Sequence, residues 1–212
     1  IWSGKSLDYI DVTTIVDIRA YLDSLPAETT VVLAGGDGTL NHFINDMGGE
    51  APARDIYYFA AGSGNDFLRD AERTRDDPPF LLNPYLQNLP TVTVNGMTRY
   101  FLNGIGYGID GYCCEVGDKQ RLKSDKPVNY TAIAIKGLLF GYHRTLADVC
   151  VDGDTKAYRA VWLAPTMKGR FYGGGMMCAP GQNRLDPEGS VSTMVMTGKS
   201  KLKTLIVFPS IF

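Results

Sequence analysis

Two segments of this sequence share one construction that few folds accommodate. "VVLAGGDGTLNHFIN" runs from Val31 to Asn45 and "DIYYFAAGSGNDFLRD" from Asp55 to Asp70. In each, a run of β-branched and aromatic residues leaves through glycines and enters a pattern with helical spacing. Strand, glycine loop and helix, repeated, predict an α/β domain with a largely parallel sheet. In such sheets the loops meet at the carboxyl edge of the strands, where ligands bind.

The rest of the chain divides around this pattern. Ile15, Val16, Ile18, Leu22 and Leu25 recur at roughly helical spacing before Pro26, which predicts an amphipathic helix within 11–25. After "TRDDPPFLLNPYLQNLP" the texture changes to short strands separated by turn residues, "TVTVNGMTRYFLN", "LADVCVDGDTKAYRAVWLA" and "GSVSTMVMTG", with "VDGD" as a hairpin signal. One helix is expected among them, in "VNYTAIAIKGLLFGYH"; "YCCEVGDK" reads as a poor helix. The expected division is an α/β domain over 1–88 and a β-rich, sandwich-like domain over 89–212.

Charge narrows the partners. Lys and Arg number 21 against 23 Asp and Glu, a net charge of -2, without the basic excess of a nucleic-acid binder. Cys113, Cys114, Cys150 and Cys178 form no CxxC pair and no zinc spacing, which suits reduced thiols in the cytosol. No run is long enough for a transmembrane helix, and no signal peptide opens the chain. The chain starts at Ile1 and stops at "FPSIF", so missing ends are expected on both sides.

The first glycine loop carries a chemical tension. Glycines at a strand exit, followed by a helix N-terminus, favour a phosphate, yet Asp37 stands among them. A carboxylate there needs a cation between itself and the phosphates, or a task such as accepting a hydroxyl proton. The loop has no lysine, so Mg²⁺ would supply the charge; the plain alternative is a glycine turn in which Asp37 caps the helix. Ser63, Asn65 and Asp66 in the second loop are short polar groups able to line a nucleotide.

Other motifs are weaker. "GIGYGIDG" holds a GxGxxG spacing at Gly106, Gly108 and Gly111 but closes no βαβ unit, so a tight turn is favoured over a dinucleotide site. "GKS" at Gly4 to Ser6 lacks the strand of a Walker motif, and close packing accounts for "KGRFYGGGMMCAPG" as well as a ligand does. With only His42 and His143, and no GxSxG, a serine-histidine relay has few options. The apolar residues of "AIAIKGLLFGY" fit a core better than a membrane surface.

Together, "GGDGTLN..IN" and "GSGNDFLR" resemble the diacylglycerol kinase catalytic domain, a lipid-kinase family that includes sphingosine kinases. "FLNGIGYGIDG" and "YGGGMMCAPGQNRLDPEGSVSTMVM" look like its second-domain motifs, so the likeness covers most of the chain from Thr29. The resemblance implies ATP and Mg²⁺ as cofactors and transfer of the γ-phosphoryl to a lipid hydroxyl. It implies a cytoplasmic enzyme working peripherally at the inner membrane surface. Gly35, Gly36, Asp37, Gly38, Thr39, Asn41, Gly62, Ser63, Gly64 and Asn65 would hold the nucleotide, Asp37 would be catalytic, and Asp37 with Asp186 would serve the metal. NAD kinases share GGDG but lack the "GSGNDF" segment.

The sequence also departs from the family pattern. His42 stands where members usually carry glutamate, and "APGQNRLDPEGS" replaces a compact acidic turn, with Asp186 as the match. The resemblance places a nucleotide-loop strand before Ile1 and a catalytic acidic residue after Phe212. A catalytically impaired regulatory module is the rival reading, and a dinucleotide-binding oxidoreductase the third. Edge strands of the β domain could pair across a two-fold as a homodimer.

Overall fold

The computed structural model describes residues 6–124 and 128–207. Most of "GKS" and the terminal "FPSIF" lie outside them. By its contacts the chain separates into two compact units, one of 1–103 with 183–190 and one of 104–182 with 191–212. The hairpin that follows Leu89 therefore packs with the first unit.

In the first unit the amphipathic stretch yields less helix than its spacing predicts. The Asp11 carboxylate accepts from Thr13 N and opens a 3-10 turn at Val12–Thr14; Asp17 accepts from Ala20 N and starts α1, Ile18–Ser24. Two acidic caps six residues apart divide the segment, because each satisfies the free N–H groups of its own turn.

β1 (Val31–Gly35) and β2 (Ile56–Ala60) pair in parallel, Val31 opposite Ile56. α2 (Asp37–Asp46) and α3 (Asp66–Asp70) follow them directly, as the repeated pattern requires. β3 (Phe80–Leu81) pairs antiparallel with β2 over two residues, so the sheet joins one parallel pair to a short antiparallel edge.

Leu40, Phe43 and Ile44 of α2 pack with Leu33, Ile56, Tyr58 and Phe67 in one core. β4 (Thr91–Val94) and β5 (Met97–Tyr100) form a hairpin whose turn places Asn95 at φ 51° and Gly96 at φ 78°. That is the twist-compatible turn favoured by Asn-Gly. Asn45 clasps β5 through both amide atoms, donating to Tyr100 O at 2.9 Å and accepting from Tyr100 N at 2.9 Å.

The second unit is rich in short antiparallel strands. β6 (Gly104–Ile105), β9 (Thr166–Met167) and β12 (Ser192–Thr193) make one sheet. β7 (Thr145–Val151), β8 (Asp154–Leu163) and β13 (Met196–Thr197) make another, and β10 (Phe171–Tyr172) pairs with β11 (Met176–Met177). The hairpin expected at "VDGD" forms between β7 and β8, with Asp152 at φ 52° and Gly153 at φ 89°. α5 (Tyr130–Lys136) runs into a π turn over Gly137–Gly141, and α6 covers Lys201–Val207. All four cysteines are free thiols.

The unexpected element is α4, Ile109–Arg121, which includes the "YCCEVGDK" read as a poor helix. Ile109, Cys113 and Gly117 are buried at four-residue intervals, and a Cβ on Gly117 would lie 2.7 Å from the Tyr130 ring. Packing of that face outweighs the weak propensity of the glycines. Gly106 and Gly108 of the GxGxxG spacing serve the same packing, whereas a Cβ on Gly111 would meet nothing within 4 Å. At φ 106° a Cβ on Gly108 would meet Trp162 O at 2.4 Å, and one on Gly106 would strike the Asp110 carboxylate.

Asp110 sits in that crowded start of α4, taking hydrogen bonds from Tyr172 Oη at 3.0 and 2.9 Å. Burial pushes its pKa up to about 6 from 3.8, against the lowering effect of the Tyr172 bond. Because the folded state holds the proton more tightly, Asp110 costs stability as pH rises from about 4 to about 6, and the whole cost stands above that. Asp110→Asn is expected to raise stability by roughly 1–3 kcal/mol at pH 7.5 and to flatten this slope, read from denaturant midpoints against pH.

Candidate active site

The glycines of the two loops of the first unit let the loops touch. A Cβ on Gly36 would lie 2.9 Å from Gly62 Cα, so any side chain at this crossing would force them apart. The carboxyl ends of β1 and β2 are stitched by Ala61 N and Gly62 N, which donate to Gly35 O at 2.8 and 3.2 Å. Tyr58 Oη donates to the same oxygen at 2.9 Å. Burial, with the Asp37 charge second, drives the Tyr58 pKa upward, so it remains a neutral donor.

Asp37 is the centre of this arrangement. Its Oδ2 accepts from Asp66 N at 3.0 Å, and its Oδ1 accepts from Phe67 N and from Asn103 Nδ2, both at 2.9 Å. It therefore caps α3, the helix of the other loop, and not its own helix α2. The usual cap position of α3 belongs to Asn65, which adopts the left-handed conformation, φ 52°, and makes no capping bond. Three donors occupy three of the roughly four lone-pair sites of a carboxylate, leaving one for a metal or a proton.

Asn103 is held in turn. Arg184 Nη2 donates to Asn103 Oδ1 at 2.7 Å, which turns the amide nitrogen toward Asp37. The same guanidinium donates to Asp70 Oδ2 at 2.5 Å and Leu102 O at 2.6 Å, and stacks over Phe67 at 5.0 Å. Burial lowers the Arg184 pKa while Asp70 pulls it back, and an arginine keeps its proton in this balance. A buried chain thus runs from Asp70 through Arg184 and Asn103 to Asp37. Sequence reasoning missed Asn103 and Arg184 as site residues, although both lie in the quoted segments "FLNGIG" and "APGQNRLD". Nothing in their spacing announces contacts across 66 and 81 positions.

The remaining candidates separate. Gly35 ends β1, and a Cβ there would collide with Thr39, whose side chain takes that space. Gly36 is the N-cap of α2 and supplies no side-chain cap for the first N–H groups of α2, and a Cβ on Gly38 would meet nothing within 4 Å. Ser63 and Gly64 are exposed on the second loop. Both amide atoms of Asn65 are buried there with no hydrogen-bond partner among the described residues. Asn41 and His42 are exposed on α2, and Asn41 O serves Asn45 Nδ2. Asp186 closes a local turn, accepting from Glu188 N at 3.2 Å and from Ser190 N at 3.1 Å.

These features fit a nucleotide. An uncapped helix start accepts phosphate oxygens, and an orphaned amide has an unmet need for a donor and an acceptor. They do not fit a metal caged by protein: among the described residues no group of three or more His, Cys, Asp or Glu could hold an ion.

Known proteins resemble the chain over two successive spans. Residues 3–96 match the model of the diacylglycerol kinase catalytic domain, and residues 103–212 match that of the YegS C-terminal NAD kinase beta sandwich-like domain. The chain belongs to the diacylglycerol kinase family. This family member is 24% identical over 169 residues to YtlR of Bacillus subtilis (strain 168), whose name assigns it provisionally to the lipid kinases. That match covers 71% of the chain and 53% of YtlR. A protein named diacylglycerol kinase in Mycobacterium tuberculosis (strain ATCC 25618 / H37Rv) is 24% identical over 217 residues, 96% of this chain and 68% of its own. The crystal structure of a diacylglycerol kinase from Bacillus anthracis str. Sterne shares the fold, with TM-score 0.58 and 17% identity over 91% of this chain and 63% of that one. The family member thus spans between about half and two thirds of the length of these proteins.

Proposed function

We propose that this chain is the nucleotide-binding part of an ATP-dependent lipid kinase acting on the hydroxyl of diacylglycerol or a similar lipid. The observation that supports it most is the uncapped start of α2 beside the unpaired amide of Asn65, with Asp37 tying the two loops into one cradle. Gly36, Gly38 and Thr39 would face the phosphates, and Ser63 and Asn65 would complete the nucleotide pocket.

In the reaction, the acceptor oxygen attacks the γ-phosphorus, the bond to the bridging oxygen breaks, ADP leaves, and the hydroxyl proton passes to the free lone-pair site of Asp37. Mg²⁺ would arrive with the ATP, bound by phosphate oxygens and water, and would neutralise the phosphates. The chain's own contribution is positioning. No helix among the described residues is long and apolar enough to cross a membrane, and we place the enzyme at the inner membrane surface, where its lipid substrate is.

A regulatory module is the second reading, favoured by the three protein donors already on Asp37 and by the exposed His42 in the motif. The two readings part in one experiment: incubation of the complete gene product with Mg²⁺, γ-labelled ATP and short-chain diacylglycerol. Label in the lipid is expected. A thermal shift with ATP but no label in any of a panel of lipid alcohols would sink the kinase reading and leave the module.

A further inference from the structure

The chain turns sharply after α3, and that turn presents cations to the second glycine loop. Glu72 adopts φ 56°, Glu72 N donates to Arg69 O, and Arg73 N donates to Leu68 O at 3.0 Å. This is a left-handed helix stop with a residue other than glycine at its pivot. It sends the following segment back along the loop, where a cavity of about 330 Å³ is lined by Ser63, Asn65, Arg69, Arg73 and Arg75.

The arginines differ in what they already hold. Arg75 donates to Gly62 O at 2.5 Å and to Ser63 O at 3.2 Å, bracing the loop from below. Arg69 pairs with Asp66 at 3.3 Å. The Arg73 guanidinium lies over the Phe80 ring at 5.4 Å and has neither an ion pair nor a hydrogen bond among the described residues. Stacking on a ring fixes the plane of a guanidinium and leaves its N–H edge free, which is the geometry that grips an oxyanion with two bonds.

The second observation is Asn65. It is 5% exposed, lines the same cavity, and leaves both Oδ1 and Nδ2 unpaired. A phosphate oxygen there would accept from Nδ2, while a hydroxyl on the same molecule would donate to Oδ1. In a chain of net charge -2, three guanidiniums around one cavity are a local exception.

We propose that this cavity is a phosphate-ester site in which Arg73 supplies the cation that the lysine-free glycine loops lack. The ligand is a phosphate oxyanion with a neighbouring hydroxyl, as in a nucleoside polyphosphate or an anionic glycerophospholipid headgroup. The inference rests on the nucleotide-cradle reading only for the first of these sources.

The test uses the complete gene product, with Arg73→Gln removing the charge and Arg73→Lys keeping it without the two-bond edge. One arm measures affinity for ATP and for tripolyphosphate by calorimetry. The other measures sedimentation with phosphatidylcholine vesicles with and without phosphatidylglycerol. Arg73→Gln is expected to weaken one arm roughly tenfold or more, with Arg73→Lys between it and the wild type. Loss in the polyphosphate arm assigns the nucleotide; loss in the vesicle arm assigns the headgroup. Unchanged binding in both arms, or no binding by the wild type in either, overturns the site. The kinase reading fails separately: a wild type that binds tripolyphosphate through Arg73 but labels no lipid keeps this site and loses that function.

Discussion

Asp37→Asn is expected to lower turnover by roughly 10²- to 10⁴-fold, the usual effect of losing a general base. The geometry adds a structural part to this loss. An asparagine whose Oδ1 keeps the bonds from Phe67 N and Asn103 Nδ2 must turn its own NH₂ toward Asp66 N, setting donor against donor. An orphaned N–H at this place costs about 1–3 kcal/mol, so the variant should also melt earlier. Turnover per folded molecule separates the two parts: a variant destabilised to this degree yet turning over at the wild-type rate would leave Asp37 as a clasp and no more.

Arg184→Met is expected to be the most destabilising substitution, by about 3–5 kcal/mol. The side chains of Arg184 and Asp70 are 4% and 2% exposed, so removing the guanidinium takes the cation from a buried carboxylate and a donor each from Leu102 O and Asn103 Oδ1. With domain stabilities of about 5–15 kcal/mol, that loss takes a large share of the total. Adding Asp70→Leu to Arg184→Met removes the buried carboxylate and should return part of the loss. Denaturant midpoints of the single and double variants measure this. A double variant no more stable than the single would mean that Asp70 is not the residue that needs Arg184.

Legibility followed the range of the interactions. The hairpin at Asp152–Gly153 was readable because its left-handed turn is a property of adjacent residues. The strand, glycine loop and helix of each repeat were readable for the same reason, as were the loops on which a ligand would sit. α4 was not readable: Gly111 and Gly117 argue against a helix until Tyr130 fills the space over Gly117. Nor was the split of 11–25, where Asp11 and Asp17 cap two short turns in place of one helix.

At the site, the sequence identified Asp37 as a carboxylate out of place among phosphate-binding glycines, with three answers, a cation, a hydroxyl proton or a cap. The structure adds a partner set that none of them names, the N-terminus of α3 and the amide of Asn103, oriented by Arg184. By itself, then, the sequence determined the two strand-loop-helix units, the family they belong to, and the glycines that let backbone approach backbone at Gly36 and Gly62. Only the tertiary structure decided what Asp37 touches, why Arg184 is buried and which arginine lines the cavity at the second loop without a hydrogen bond among the described residues. Local patterns are written in neighbouring residues, whereas a buried charge takes its partners from wherever folding brings donors within about 3 Å.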